Sequence, residues 1–333
     1  MADAVTLYGD ISPRTAGFAW KDLLKRALPG IVTEFSAQTK PVPKGVSKVV
    51  KFRRYLALAR VTAPLAEGVT PEGKKLTYED LSVVLEQWGD YTILTDVVED
   101  THEDPVFSEA RIILAEQIRE TKEVLNINVI KNGTNVYYAN GTLRTHVNTP
   151  ITRGLIRKAI RALKRQNAKH FTQALSASPN YGTAPIEAAF LGYCHTDVEA
   201  DLRNVAGFKT VAEYSKPGAA FEYEIGAVEG VRFVATTLFE PWADGGGAKG
   251  AMLSTTGVNA DVYPIIIVGK DFWAVCPLRG ASSGMPTVVN PKPSGGDPLG
   301  QRGFAGWKMW HAGLILNETF GIRLEVAVTA DPN

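Results

Sequence analysis

The first clear pattern along the chain is an alternation of apolar and basic residues. Residues 46–62 place β-branched and aromatic side chains between lysines and arginines, which is typical of an extended strand. Residues 63–77 contain two prolines and two glycines, and residues 78–98 are again rich in β-branched and aromatic side chains. The pattern predicts a long hairpin with a polar tip, whose open strand edges pair either with its own domain or with another chain.

Two further segments have apolar residues at helical spacing. Apolar residues recur in steps of three and four from Val106, and Asp104 and Pro105 suit the cap and the first position of a helix. This pattern predicts a helix over 105–131, a rod of roughly 40 Å. A second helix, with one apolar and one basic face, is predicted over Thr152–Asn167.

The rest of the chain carries short patterns separated by turns. Residues 1–45 hold several prolines and one short helical pattern at 20–28, so we expect an arm that is ordered only against the rest of the chain or another subunit. The glycine- and proline-rich residues 285–303 mark a boundary or crossover. Between these ends we expect a tight hairpin at 136–145, a strand at 188–196, a short helix at 197–205, a hairpin at 221–237, a buried strand at 261–269 and two strands within 306–328 that turn near Asn317-Glu318.

Length and composition are those of a globular protein. A length of 333 residues is typical of about two domains. Hydrophobic residues make up 45% of the chain and charged residues 21%. The longest apolar run, Tyr263–Val268, is too short to cross a bilayer, and acids near the start of the chain argue against a secretory signal. Cys194 and Cys276 predict buried apolar side chains rather than a disulfide. We therefore expect a soluble protein without membrane contact.

Charge is distributed in blocks. Residues 1–60 carry an excess of about seven positive charges, residues 76–110 carry acids without any Lys or Arg, and residues 151–186 carry bases without any acid. Such blocks form solvated faces, steer identical subunits together, or contact nucleic-acid phosphates without sequence preference. The candidate DNA-facing residues on the basic helix are Arg157, Lys158, Arg161, Lys164 and Arg165.

Three patterns that resemble catalytic motifs lack the required context. Residues 280–284 match G-x-S-x-G around Ser282, but prolines follow where a nucleophile elbow needs a helix. Residues 245–250 match a dinucleotide-binding pattern without a strand leading directly into it. His195 lies close to Asp197, but we interpret Asp197 as the cap of the following helix. We expect no catalytic, cofactor-binding or metal site.

Six sequence blocks follow one another in a consistent order along nearly the whole chain. They are residues 6–32, 48–58, 132–142 (NGTNVYYANGT), 151–169 (ITRGLIRKAIRALKRQNAK), 224–237 (EIGAVEGVRFVATT) and 297–318 (DPLGQRGFAGWKMWHAGLILNE). Together they resemble a podovirus-type family of tailed-bacteriophage major capsid proteins. No single block is chemically diagnostic, and the resemblance depends on their combination.

The resemblance implies an α+β architecture, the Hong Kong 97-like capsid fold. Such a subunit has an N-terminal arm, an extended β-hairpin loop, a peripheral domain with a long spine helix, and an axial domain that points to the capsomer centre. Carried onto this chain, the arm is 1–45, the extended loop 46–90, the peripheral domain 91–187 and 285–333 with the spine helix at 105–131, and the axial domain 188–284.

The resemblance also implies a structural function rather than catalysis. It predicts hexamers and pentamers that form an icosahedral shell around packaged phage DNA, in the virion capsid, after assembly in the cytoplasm of the bacterial host. The implied partners are other copies of the chain, a portal, a separate scaffolding protein, a decoration protein and double-stranded DNA held by non-specific contact, with no cofactor. The predicted intersubunit contacts are Arg53, Arg54, Tyr55, Glu67, Lys74 and Lys75.

Three alternatives stay open at this point. An encapsulin-type compartment has the same fold class and encloses protein cargo, and the genomic neighbourhood separates it from a phage capsid. A soluble hydrolase that uses Ser282 would lose activity on Ser282→Ala. A basic nucleic-acid-binding protein would bind DNA as a free subunit in a salt-dependent manner.

Overall fold

The computed structural model describes residues 29–64, 67–68, 70–95, 106–171, 188–213, 223–278, 285–293 and 298–331. Its helices are α1 (Val106–Lys131), α2 (Arg153–Arg165) and α3 (Glu199–Arg203). Its strands are β1 (Gln38–Thr39), β2 (Val49–Tyr55), β3 (Tyr78–Val84), β4 (Glu86–Thr95), β5 (Val136–Tyr138), β6 (Phe190–Cys194), β7 (Lys209–Thr210), β8 (Glu224–Val228), β9 (Val231–Ala235), β10 (Tyr263–Val268), β11 (Trp273–Val275), β12 (Thr287–Val289), β13 (Arg302–His311), β14 (Gly313–Ile315) and β15 (Gly321–Val326). The predicted helix at 20–28, the cap formed by Asp104 and Pro105, and the Ser282 motif lie outside the described residues.

A seven-stranded sheet, ordered β5-β15-β10-β6-β9-β8-β7, forms the centre of the molecule. All six residues of β10 are buried, because both faces of the sheet are covered. Tyr263, Ile265 and Ile267 point to one face, where the apolar side of α2 packs. Ile266 and Val268 point to the other face, where the C-terminal half of α1 packs. The strands predicted at 188–196 and 261–269 and the hairpin at 221–237 are confirmed here as β6, β10 and β8–β9.

A second sheet, ordered β12-β13-β4, packs against the N-terminal half of α1. Along β13 buried and more exposed residues alternate, as expected for a strand with one covered face. Ala305, Trp307 and Met309 face the helix and contact Leu114 and Ile118 in one apolar cluster. The opposite face of this sheet has no helix over it among the described residues.

The predicted long hairpin exists, but its second strand is divided. β2 and β3 pair antiparallel from Val49 opposite Val84 to Tyr55 opposite Tyr78. At Leu85, which is buried, the chain leaves the hairpin and continues as β4 in the second sheet. The described part of this segment, 78–95, therefore belongs to two different sheets.

Two sequence predictions were wrong about strand pairing. Residues 136–145 do not form a hairpin, because β5 pairs parallel with β15, almost 190 residues away, and the Asn140 amide instead donates to the carbonyl oxygen of His146. The segment 306–328 contains three strands, β13, β14 and β15, and each belongs to a different sheet. The turn expected near Asn317 is present as a short 3-10 turn over Glu318–Phe320.

The helices agree better with the sequence pattern. The helix predicted over 152–167 is confirmed as α2, and the hydroxyl oxygen of Thr152 accepts a hydrogen bond from the Leu155 amide at 3.3 Å, as an N-cap does. Helix α1 ends at Lys131, as predicted. Both cysteines are buried and free. No helix within the described ranges is both long and apolar enough to span a bilayer.

The central sheet draws strands from both sides of the expected domain boundaries. β6 to β10 come from the segment 188–284, whereas β5 and β15 come from the segments 91–187 and 285–333. Helix α2, from 91–187, packs on the same sheet. The division into arm, extended loop, peripheral domain and axial domain therefore stays a prediction.

Candidate assembly surface

The hairpin β2–β3 and its tip form the most exposed part of the described chain. Every described residue from Arg53 to Asp80 is exposed. Only the base of the hairpin is packed, where Val50, Phe52 and Val83 contact a small buried cluster. Between Arg53 and Asp80, six large apolar side chains face solvent: Tyr55, Leu56, Leu58, Val61, Leu76 and Tyr78. A hairpin of two strands is marginal in water by itself. Among the described residues, contacts with the rest of the chain are its packed base and a hydrogen bond from Arg54 to the Leu316 carbonyl oxygen.

Charges on the hairpin pair across its two strands. The Arg53 guanidinium donates two hydrogen bonds to the Asp80 carboxylate, at 2.7 and 2.8 Å, and lies 4.1 Å from the centre of the Tyr78 ring. The hydrogen bond from Arg53 holds the pKa of Asp80 below its ordinary value. Arg54 bonds Glu79 at 2.7 Å. The basic and acidic charge blocks therefore partly neutralise each other within one chain.

The six residues predicted to contact a neighbouring subunit all lie on this hairpin. Arg53, Arg54 and Tyr55 lie at the end of β2, beside the cross-strand pairs. The other three, Glu67, Lys74 and Lys75, are exposed in the loop between β2 and β3. Their contact with another subunit stays a prediction.

An apolar patch covers the outer face of the second sheet. Ile93 lies opposite Phe304, and Tyr91 opposite Gly306, so the three side chains share one face. They are 48–67% exposed. Tyr91 and Phe304, together with Met285, line a groove of about 830 Å³. A β-carbon at Gly306 would lie 2.8 Å from that of Tyr91, so glycine makes room for this ring. Sequence analysis missed the patch, although alternation in 86–95 and 302–311 was the signal for it.

Residues 29–37, the first described part of the predicted arm, are fixed to α1 by a buried carboxylate. Glu123 is 1% exposed, and one of its oxygens accepts hydrogen bonds from the amides of Val32 and Thr33, both at 2.8 Å. The Thr33 hydroxyl donates to the other oxygen at 2.6 Å. Burial raises the pKa of Glu123 above its ordinary value. The sequence pattern did not single out Glu123, so this site was also missed.

A buried ion cluster joins the C-terminal end of α1 to the central sheet. The Glu325 side chain is fully buried, and Arg144 donates to both of its oxygens at 2.8 Å. Arg323 donates to Glu325 at 2.9 Å and also to the carbonyl oxygens of Lys131 and Gly133, just past the helix end. The cluster therefore fixes the direction in which α1 leaves the sheet.

The basic face of α2 has two different flanks. Arg153 and Arg157 both bond the Glu229 carboxylate, at 2.5 and 3.0 Å. On the other flank, Lys158, Arg161 and Arg165 line a pocket of about 450 Å³. Lys164, like the other basic residues of the helix, is exposed.

The motif-like segments have structural explanations. In the 245–250 loop, a β-carbon at Gly246 would lie 2.2 Å from the carbonyl oxygen of Val147, so the glycine permits close packing of two backbones. The prediction that Asp197 caps the following helix was wrong. The His195 side chain accepts a hydrogen bond from the Asp197 amide, whereas the Asp197 carboxylate accepts one from the Tyr263 hydroxyl. The described residues contain no group of three potential metal ligands.

Comparison with known proteins places this geometry in a family. The chain aligns over its full length with the whole capsid chain of Ralstonia phage GP4, at 12% identity and a TM-score of 0.69. It matches the capsid of cyanophage Pam1 over 99% of this chain and 100% of that chain, at 13% identity and a TM-score of 0.63. The SrpI encapsulin of Synechococcus elongatus PCC 7942 matches over 94% and 95% of the two chains, at 10% identity and a TM-score of 0.54.

The structural matches confirm the α+β, Hong Kong 97-like capsid fold predicted from the sequence. No curated protein sequence matches the chain. A family model described as phage capsid protein matches residues 78–324, about three quarters of the chain. The chain belongs to the phage capsid protein family.

Proposed function

We propose that this capsid protein assembles into hexamers and pentamers, which close into an icosahedral shell around packaged phage DNA. One observation carries the proposal: the hairpin exposes six large apolar side chains between Arg53 and Asp80 and, among the described residues, is packed only at its base. Burial of one such side chain contributes about 1.5–3 kcal/mol. Burial on a sister subunit therefore supplies the free energy of assembly.

The apolar patch of the second sheet is the receiving surface in this proposal. Tyr91, Ile93 and Phe304 present exposed apolar area on a rigid sheet that α1 supports from behind. The hairpin supplies apolar side chains of its own and the polar residues at its tip. We assign Arg53, Arg54, Tyr55, Glu67, Lys74 and Lys75 to the polar rim of this contact, where charge sets orientation more than affinity.

The other partners follow from the same function. We propose that the shell assembles in the cytoplasm of the host with a portal and a scaffolding protein, accepts a decoration protein, and contacts DNA through the basic helix α2. The hydrolase alternative rests on Ser282, which lies outside the described residues, whereas the family match favours a structural protein. The encapsulin alternative rests on the shared fold alone, whereas the family match favours a phage capsid.

Tyr91→Ser combined with Phe304→Ser is expected to impair shell formation. Both side chains are exposed in the free subunit, so the variant should fold normally. Loss of their burial costs about 1.5–3 kcal/mol each, so the concentration needed for assembly should rise at least tenfold. Gradient sedimentation and electron microscopy, under conditions in which the unchanged protein forms shells, measure this.

The matched control for this experiment keeps the aromatic area. Tyr91→Phe with Phe304→Tyr exchanges the positions of a hydroxyl and should form shells at nearly the normal concentration. If the serine variant assembled as well as the control, the patch would not be an intersubunit surface.

A further inference from the structure

The seven basic residues around α2 are not equivalent in the fold. The helix buries its apolar side on the central sheet and presents its basic side outward. Positions 153 and 157 lie toward one edge of this basic side and positions 158 and 165 toward the other, while position 161 lies near the middle and lines the same pocket as 158 and 165. The two edges have different electrostatic surroundings.

The first edge is partly neutralised by the chain itself. Arg153 and Arg157 share the carboxylate of Glu229, which lies in the two-residue turn between β8 and β9. Glu229 and Gly230 both have positive φ angles, so the tight turn fixes the position of this carboxylate. Hydrogen bonds from Arg157 and Arg153 keep the pKa of Glu229 low, so it stays ionised at neutral pH.

The second edge keeps its charge available. Within the described part of the chain, neither Arg161 nor Arg165 pairs with a carboxylate. Glu318 lines the same pocket, but its carboxylate accepts from the amide and hydroxyl of Thr134, at 3.0 and 3.2 Å. Lys158 lies 4.6 Å from the centre of the Tyr137 ring. The pocket therefore presents three cationic side chains and one carboxylate, that of Glu318, which Thr134 holds in place.

Phosphate is the ligand chemistry that fits this edge. Arg161 and Arg165 are one helical turn apart, and guanidinium groups bind phosphate oxygens through paired hydrogen bonds. An acidic protein partner would need an apolar anchor, but Lys158 covers the one aromatic ring in the pocket lining. The chemistry favours a repeated phosphate backbone over a peptide.

We infer that Lys158, Arg161 and Arg165 form a binding site for the phosphate backbone of double-stranded DNA, and that Arg153 and Arg157 take no part in it. The inference rests on the proposed function only for the source of the phosphate. It narrows the DNA contact to one edge of α2 and removes Arg157 from it. Binding is independent of base sequence, because the site offers only charge and backbone-directed hydrogen bonds.

The test compares two double variants of the full chain. Arg161→Ala/Arg165→Ala and Arg153→Ala/Arg157→Ala each remove two arginines from the same helix, and the second also leaves Glu229 unpaired. Overall charge alone would therefore make the second variant at least as damaging. The measurement is the Kd for a fluorescent 20-base-pair duplex at several salt concentrations.

The site predicts a clear asymmetry. The Arg161/Arg165 variant should raise Kd at least tenfold at low salt and reduce the slope of log K against log salt by about two, since each phosphate contact contributes about 0.9. The Arg153/Arg157 variant should change Kd less than about threefold. Equal losses, or no loss in the first variant, would overturn the site.

Two further measurements distinguish a DNA-binding site from a site for a small phosphate and from a defect in assembly. If inorganic pyrophosphate bound the pocket tightly while duplex binding were unchanged in the Arg161/Arg165 variant, the ligand would be a small phosphate and the DNA assignment would fall. Shell formation is scored separately for both variants and should be normal. Normal shells with reduced DNA binding support the site, whereas normal shells with unchanged DNA binding overturn it and leave the proposed function intact.

Discussion

Replacing Glu325 with alanine is expected to lower the free energy of unfolding by about 3–5 kcal/mol. The carboxylate is fully buried and accepts three hydrogen bonds, two from Arg144 and one from Arg323. Its removal leaves two guanidinium groups close together without an anion between them. Removal of one partner costs more than the ion cluster itself contributes, because the remaining charges stay away from water.

The effect should extend to the end of α1. Arg323 also donates to the carbonyl oxygens of Lys131 and Gly133, and Arg144 lies 3.6 Å from the centre of the Trp242 ring. Once Glu325 is absent, repulsion between the two arginines should displace both contacts. The cluster thus links the stability of the sheet to the orientation of the long helix.

Denaturant unfolding of the unassembled protein measures this loss. Glu318→Ala is the matched control, because Glu318 is also a carboxylate that accepts hydrogen bonds in this region but is not buried. The control should cost less than about 1 kcal/mol. A loss for Glu325→Ala no larger than that of the control would contradict a central role for the buried cluster.

Glu123→Ala is expected to detach residues 29–37 from α1 and to lower the free energy of unfolding by about 3 kcal/mol. The amides of Val32 and Thr33 and the Thr33 hydroxyl would lose their shared acceptor while they remain buried. Hydrogen bonds to charged groups contribute about 1.5–3 kcal/mol, and unpaired buried donors add a penalty. Limited proteolysis should then cut residues near 29–37 much faster than in the unchanged protein.

The Glu123→Gln variant is the conservative control. Its amide oxygen can still accept from the two backbone amides, so it should lose much less stability and remain resistant near residues 29–37. If alanine and glutamine behaved alike in both measurements, the carboxylate would not be the attachment point of the segment.

The stabilities of the unchanged protein and of Glu123→Gln should depend differently on pH. Because burial raises the pKa of Glu123, the folded state holds its proton more tightly than the unfolded state does. The resulting stabilisation is fully present below the ordinary pKa of 4.5 and is lost as the pH rises through the folded-state value. The stability of the unchanged protein relative to Glu123→Gln should therefore fall as the pH is raised through this range.

The elements that sequence analysis predicted well depend on local patterns. Helix α2 has an amphipathic repeat and a capping threonine, and β10 is one continuous buried run. The hairpin β8–β9 closes with two residues at positive φ, of which one is glycine. Each of these signals lies within the element itself, so no distant partner is needed to interpret it.

The errors arise where distant residues decide the structure. The Asn140-Gly141 pair predicts a hairpin, yet β5 pairs with β15, whose identity no local pattern reveals. Glu123 is buried because Thr33 supplies donors for it, and Glu325 because Arg144 does. Ile113 fits the apolar spacing predicted for α1, yet it is 48% exposed. The buried side of the helix is decided by the sheets that pack on it, and residues far along the chain form those sheets.

The assembly surface was only partly predictable. The exposed hairpin followed from its length and polar tip, but the cross-strand pairing of Arg53 and Arg54 depends on register, which the sequence left open. The apolar patch around Tyr91 and Phe304 depends on the pairing of two strands more than 200 residues apart.

Hydrogen exchange of the hairpin, free and assembled, tests the central claim most directly. If the hairpin is completed by sister subunits, amides of Val49–Tyr55 and Tyr78–Val84 should exchange within seconds in the dilute subunit and at least a hundredfold more slowly in shells. The strands of the central sheet, such as Tyr263–Val268, should be protected in both states and serve as the internal reference. A monomer that stays compact at every concentration, with its hairpin as protected as that sheet, would contradict the account.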